Sequence, residues 1–430
     1  MRTVTVLTAA AIGAFLFTAC PRRTVPTPPP ATPSPRPAPA PTPAPTPVPV
    51  PTPPPPPYVP NKRMEVGKMF NGAQVRASLE TESGGSASEV RKEAGSYEVE
   101  VKVRVTIPKP HQSLEELTKL NNQLPALLPG LPALLETAKV SPFWDDLYRT
   151  KTTLLQKNLT RFDNLLPRHD LFDCETVLEL QHPATKRRAL LVQADMDTDG
   201  DGSDSDRVPE IDGSSATFQP FTSYRWPKKT PNQNSFVLIR EAKLRQSEAE
   251  LLTPNLPAAR ANELRSAMKT LKSDISDLRQ YSFLVASTDP YVVLPLSMLG
   301  KKNPFSVSIG DYCVVAHGSV LYPAIVGDAG PAAKVGEGSL RLCQQINAKA
   351  SANFRPESDL KVTYLFFPGT AEPPEVPDLA KWRARCEKLL GEIGGFGGEL
   401  FTWPDLIKPP PPPLIPGLAP APAPAAPPVK

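Results

Sequence analysis

Proline sets the outer limits of any folded structure in this chain of 430 residues. Its 57 prolines concentrate in residues 21–60 and 404–430, where they alternate with Ala, Thr and Val. Proline has no amide donor and a fixed φ, so such stretches extend instead of packing. A compact structure is therefore confined to about residues 62–403, enough for one large domain or two small ones. The first tract, residues 21–61, reads as a semi-rigid polyproline linker. At ~3.1 Å per residue, about forty residues would reach roughly 120 Å. Residues 404–430 form the corresponding C-terminal tail.

Ahead of the linker, residues 1–20 have the form of an export signal. Arg2 supplies the positive start, Val4 to Phe17 an apolar run too short to span a bilayer, and Ala19 a small residue before Cys20. The segment LFTAC resembles a bacterial lipobox, with Phe17 an unusual choice at its position. The resemblance implies cleavage before Cys20 and acylation of that cysteine, which would hold the protein on a membrane of the cell envelope without a spanning helix.

Within the core, residues 62–169 are expected to mix strands and helices. In SYEVEVKVRVTIP, residues 96–108, apolar and polar residues alternate, which predicts a strand with one buried face. Ser113 and Glu116 have capping-box spacing, and prolines at 125, 129 and 132 divide the following helical region. Leu147, Leu154, Leu155, Leu159, Phe162 and Leu166 recur at helical spacing. Strands are expected at Thr176–Leu180 and Arg188–Ala194, with residues 182–186 as their turn. Residues 238–280 read as two helices of mixed charge, broken around Pro254 and Pro257, inserted into the core.

An acidic stretch follows the second of these strands. Asp195, Asp197, Asp199, Asp201 and Asp206, with Gly200 at the sixth place, fit the spacing of a calcium loop, although an Asp replaces the usual final Glu and a strand precedes it. Calcium is thus a candidate ligand, and no cofactor is required. The alternative needs no metal: Asp195, Asp197 and Asp199 would line a cleft and concentrate a cationic substrate. Tyr224 and Trp226, in a segment that also holds Thr222 and Ser223, are candidates for stacking against sugar rings or for core packing.

The most informative stretch is residues 321–347. Leu321–Val326 is an apolar run of strand length, Gly327 and Gly330 bracket Asp328, and Gly336 and Gly338 bracket Glu337. Both acids are expected in glycine-bounded turns, with Ser339 capping a helix from Leu340 toward Ala348. Two acids framed by small residues suit glycoside hydrolysis, in which one protonates the leaving oxygen and the other activates water or attacks the sugar. The segments YVVLP (291–295), GDYCVV (310–315), AIVGDAGP (324–331), KVGEGSLRL (334–342) and VTYLFFPGT (362–370) follow one another in the order and spacing of the glycoside hydrolase family 75 chitosanases. QADMDTDGDG (193–202) is similar to that family's Asp-rich segment. The resemblance implies endo-cleavage of chitosan or a related amino-sugar polysaccharide with inversion, Asp328 as base and Glu337 as acid. Their carboxyls would then be roughly 6.5–9.5 Å apart.

Four further cysteines, Cys174, Cys313, Cys343 and Cys386, would meet an oxidising compartment, so one or two disulfides or buried free thiols are both expected outcomes. The net charge of +4 and the absence of a basic run longer than Lys186–Arg188 argue against nucleic acid as a partner. The expected fold class is α+β, with a mainly β, barrel-like catalytic core at 170–370, helical insertions and a C-terminal extension at 371–403. Disordered Pro-rich tails flank it, and a monomer is expected. A non-catalytic glycan- or cell-wall-binding lipoprotein that keeps the fold is one competing function, and a calcium-dependent structural or adhesion module is another.

Overall fold

The computed structural model describes residues 86–90, 92, 104–161, 166, 168–215, 217–301 and 303–407. The signal segment, the first Pro-rich tract, residues 408–430 of the second and residues 96–103 of the expected first strand lie outside these. The rest of that strand is corrected: residues 104–108 adopt no strand conformation. Pro108 and Pro110 cannot donate to a ladder, and the chain meets the sheet at His111, whose N–H donates to Glu175 O at 3.4 Å and whose carbonyl accepts Thr176 Oγ1–H at 2.6 Å.

Short helices follow. In α1 (Leu114–Thr118) the capping box forms, with Glu116 N–H on Ser113 Oγ at 3.2 Å and Ser113 N–H on Glu116 Oε2 at 3.0 Å. Prolines stand in the first turns of α2 (Leu124–Leu127) and α3 (Leu131–Leu135), where a missing amide costs nothing. A longer helix, α4, spans Pro142–Arg161 and buries Leu147 and Leu155.

The sheet is built from β1 (Lys139–Val140), β2 (Cys174–Gln181), β3 (Arg188–Asp199), β4 (Tyr291–Pro295), β5 (Tyr312–His317), β6 (Val320–Gly330), β7 (Glu337–Ser339) and β8 (Glu357–Phe366), with the short strand Glu399–Leu400 added alongside β6. Its order is β1-β2-β3-β8-β5-β6-β4-β7. Because β7 also pairs with β3, strands β3, β8, β5, β6, β4 and β7 close into a six-stranded barrel. The fold is therefore α+β around a β-barrel.

Two apolar layers line the two faces of this wall. One joins Leu191, Tyr291, Val293, Ile325 and Leu365 to the leucines of α1–α3 and to Trp382, Leu389 and Leu390. The other gathers Val192, Met196, Val292, Val315, Val326 and Tyr364 with Trp144 and Leu147 of α4. Burying each such side chain contributes about 1.5–3 kcal/mol. The segment 371–403 thus adds its helix, α7 (Leu379–Glu392), to the first layer.

The expected helical insertion is a hairpin of α5 (Ser235–Leu251) and α6 (Ala258–Gln280). Val237, Ile275 and Leu278 close its inner face on Phe283, and Arg279–Glu241 and Arg240–Asp274 bridge the two helices at 2.6 and 3.5 Å. Cys174, Cys313, Cys343 and Cys386 are all buried free thiols.

Candidate active site

One irregularity in the barrel wall aims Asp328. Strands β4 and β6 run parallel, with Tyr291 opposite Ile325 and Val292 opposite Val326, but the next pair is Val293 with Asp328. Gly327 is the extra residue, a β-bulge. Side chains alternate between faces along a strand, so without the bulge Asp328 would point to the apolar side of Val326. With it, Asp328 shares the face of Val293. Only glycine fits there, because a Cβ would lie 2.6 Å from Tyr291 Cβ.

On the other edge of β4, Val293 pairs with Glu337, and Glu337 in turn pairs with Asp197 of β3. Asp328, Val293, Glu337 and Asp197 therefore form one row across four adjoining strands. At ~4.8 Å between strands, the Cα atoms of Asp328 and Glu337 are about 10 Å apart. The Glu337 side chain leans back over Val293, its Oε2 lying 3.4 Å from the point a Cβ on Gly330 would occupy. The acids sit in strands, and this corrects the expectation of glycine-bounded turns. Ser339 does cap the helix Leu340–Ile346, accepting from Leu342 N–H.

The two carboxyls have unlike surroundings. Asp328 Oδ1 accepts from Ser223 N–H at 2.8 Å, Ser223 Oγ–H at 2.5 Å and Ala329 N–H at 2.7 Å. Burial raises its pKa, and these three donors oppose the rise. No described residue donates a hydrogen bond to the Glu337 carboxylate. Burial first, then the carboxylates of Asp199 and Asp197, push its pKa to about 8, with Lys334 opposing. Asp199, bonded by Tyr291 Oη–H at 2.8 Å, is raised to about 6, chiefly by burial. Asp201 is raised to about 7 by burial and by Asp199.

Cations brace the row from behind. Arg355 spans Asp195 and Asp197, with 2.6 Å to each, and Lys334 lies 3.4 Å from Asp197 and 3.5 Å from Asp170. Deeper still, the fully buried Lys151 of α4 pairs with Asp173, whose Oδ2 accepts Val335 N–H at 3.1 Å.

Several expectations are corrected by this arrangement. The calcium loop does not form. Asp195, Asp197 and Asp199 lie along an extended strand, and their carboxylates are committed to Arg355, Lys334 and Tyr291. Asp201 accepts Gln219 N–H at 2.8 Å, while Asp206 serves a turn through Lys229 N–H at 2.6 Å and Thr230 Oγ1–H at 2.5 Å. Among the described residues no group of three or more His, Cys, Asp or Glu side chains is placed to hold a metal ion. Tyr224 and Trp226 are 5% and 1% exposed, so they pack in the core and cannot stack on sugar. Asp195, at 1%, is likewise closed to substrate, whereas Asp197 and Asp199 share the face of the pair.

Sequence reading gave no role to Ser223, Lys334 or Arg355. Lys334 stands three residues before Glu337 within KVGEGSLRL, a signal that was available. Arg355 carries no such mark, since only the fold brings it to β3.

Two half-buried carboxyls of unlike acidity, on one face and separated by a single intervening strand, suit the chemistry of a glycoside hydrolase. Residues 196–402 match the family described as fungal chitosanase of glycosyl hydrolase group 75, and this segment is a chitosanase-type glycoside hydrolase domain. The match covers Asp197, Ser223, Asp328, Lys334, Glu337 and Arg355, and it stops short of α4 and Asp173. No curated protein sequence matches the chain.

Proposed function

We propose that the protein is an exported, lipid-anchored, endo-acting hydrolase of chitosan or a related amino-sugar polymer, working by inversion as a monomer. The observation that carries this reading is the placement of Asp328 and Glu337 on one face, either side of Val293. Their unlike acidity assigns the roles. Glu337, with a pKa raised to about 8, keeps its proton at neutral pH and delivers it to the glycosidic oxygen. Asp328, supported by three donors on one oxygen, stays ionised and takes a proton from the attacking water. The gap left by the intervening strand suits a water between base and sugar. Asp197 and Asp199, on the same face, favour a cationic amino sugar electrostatically.

Release of reducing ends from chitosan by the purified chain tests the reading. Asp328→Asn and Glu337→Gln are each expected to lose about 10²–10⁴-fold in kcat, the usual worth of a general acid or base. NMR should show a first-formed product of opposite anomeric configuration to the bond cleaved. Full activity in both variants, or retained configuration, would overturn it. Tight binding to chitosan without product would support a glycan-binding protein instead.

The envelope location rests on Arg2, the apolar run to Phe17 and Cys20. No helix among the described residues is long and apolar enough to cross a membrane. Mass spectrometry of the mature N-terminus is expected to find an acylated Cys20, and Cys20→Ala should free the protein from membranes.

A further inference from the structure

We infer that Ser223 is the positioning residue of the reaction, holding Asp328 by Oδ1 so that Oδ2 alone meets the attacking water. This rests on the reading of Asp328 as the base. The geometry is one-sided. All three donors, Ser223 N–H at 2.8 Å, Ser223 Oγ–H at 2.5 Å and Ala329 N–H at 2.7 Å, converge on Oδ1, and no described residue donates to Oδ2. The Ser223 hydroxyl is also an acceptor, from Ala329 N–H at 3.2 Å. It therefore cannot turn away from Asp328 without giving up two bonds at once.

The backbone around Ser223 is fixed by the same bulge that aims Asp328. Tyr224 N–H donates to Gly327 O at 2.8 Å, which sets the segment in register with the bulged strand. Beside it, Thr222 Oγ1 donates to Tyr224 O and accepts Leu284 N–H, each at 3.1 Å. Tyr224 is buried in the core, and its neighbours anchor an exposed serine. An exposed side chain adds little packing, so the value of this hydroxyl lies in what it holds. In the reaction, the water proton passes to Oδ2, the water oxygen bonds to the anomeric carbon, and the departing oxygen takes the proton of Glu337. A carboxylate free to rotate would offer Oδ2 in this direction only part of the time.

The test compares Ser223→Ala and Ser223→Thr with the parent chain, measuring kcat, KM and the pH profile on chitosan oligomers, with Asp328→Asn alongside. Ser223→Ala should lower kcat about tenfold, the worth of a hydrogen bond to a charged group, and leave KM within about twofold. Its acidic limb should move to higher pH, because losing a donor to the carboxylate raises the pKa of the base. Ser223→Thr keeps the hydroxyl and should restore both rate and limb. Either an unchanged rate and limb in Ser223→Ala, or a loss that Thr does not restore with the limb unmoved, would overturn the inference. If those results came with an inactive Asp328→Asn, the base assignment would survive alone. An active Asp328→Asn would instead remove the base assignment and this inference with it.

Discussion

Asp197 on β3 and Glu337 on β7 are register partners across the seam that closes the barrel. A second carboxylate, pinned by Arg355 at 2.6 Å, thus lies one strand from the proposed acid. Burial comes first in raising the pKa of Glu337, and the carboxylates of Asp199 and Asp197 add to it, so closing the barrel also helps to keep a proton on Glu337.

The rate should follow a bell-shaped pH profile. Glu337 must hold its proton, so kcat/KM is expected to fall as pH rises through about 8. Asp328 must lose its proton, and its raised pKa places the acidic limb above the ordinary aspartate range. A pH–rate series on chitosan oligomers checks both, and a profile that stays flat to pH 10 would contradict the acid assignment.

Replacing Lys334 should move only one limb. Its amine, 3.4 Å from Asp197, is the group that lowers the pKa of Glu337. In Lys334→Met the basic limb should shift upward by about half a unit to one unit, as expected for losing a nearby opposite charge. A downward shift would mean that Lys334 acts on Glu337 in some other way.

Glu337 should cost stability where it serves catalysis. Its folded pKa, about 8, exceeds the ordinary 4.5, so the folded state binds the proton more tightly. The associated stability is complete below about 4.5 and is lost as pH rises through about 8. Glu337→Gln has no such loss and should gain on the parent between pH 5 and 9 by on the order of 1–3 kcal/mol. Urea denaturation at the two pH values reads this difference directly, and an equal difference at both would refute it.

Gly336→Ala should damage the fold and the site together. Gly336 has φ +83°, and a Cβ there would fall 2.4 Å from Asp195 O. Strain of this kind costs about 2 kcal/mol or more. A lower melting temperature with a disproportionate loss of kcat is expected, because Glu337 is the next residue. An unchanged melting temperature would show that the strand can shift freely.

Local pattern carried much of this architecture. The capping box at Ser113, the hairpin 176–194, the helical insertion and the cap at Ser339 are short-range features, and all are found. Asp328 and Glu337 stood out because glycines flank them, although the reason differs. Gly327 and Gly336 let strands approach closely, where turns had been expected. The aspartates of 195–199 misled because period-two spacing suits both a metal loop and a strand face. Only the partners, Arg355 some 160 positions away and Tyr291 two strands over in the wall, decide between them. Burial of Tyr224 and Trp226 and the role of Ser223 likewise depend on contacts between distant segments.

The strand that carries Glu337 is three residues long and bonds to β4 on one side and β3 on the other. It is the keystone of the ring. An unfinished chain, with this strand undocked, has neither the neighbour that holds the acid's proton nor the alignment with Asp328. The alignment of Asp328 with Glu337 therefore exists only in the closed ring, and a variant that leaves this strand undocked is expected to be inert toward polymer.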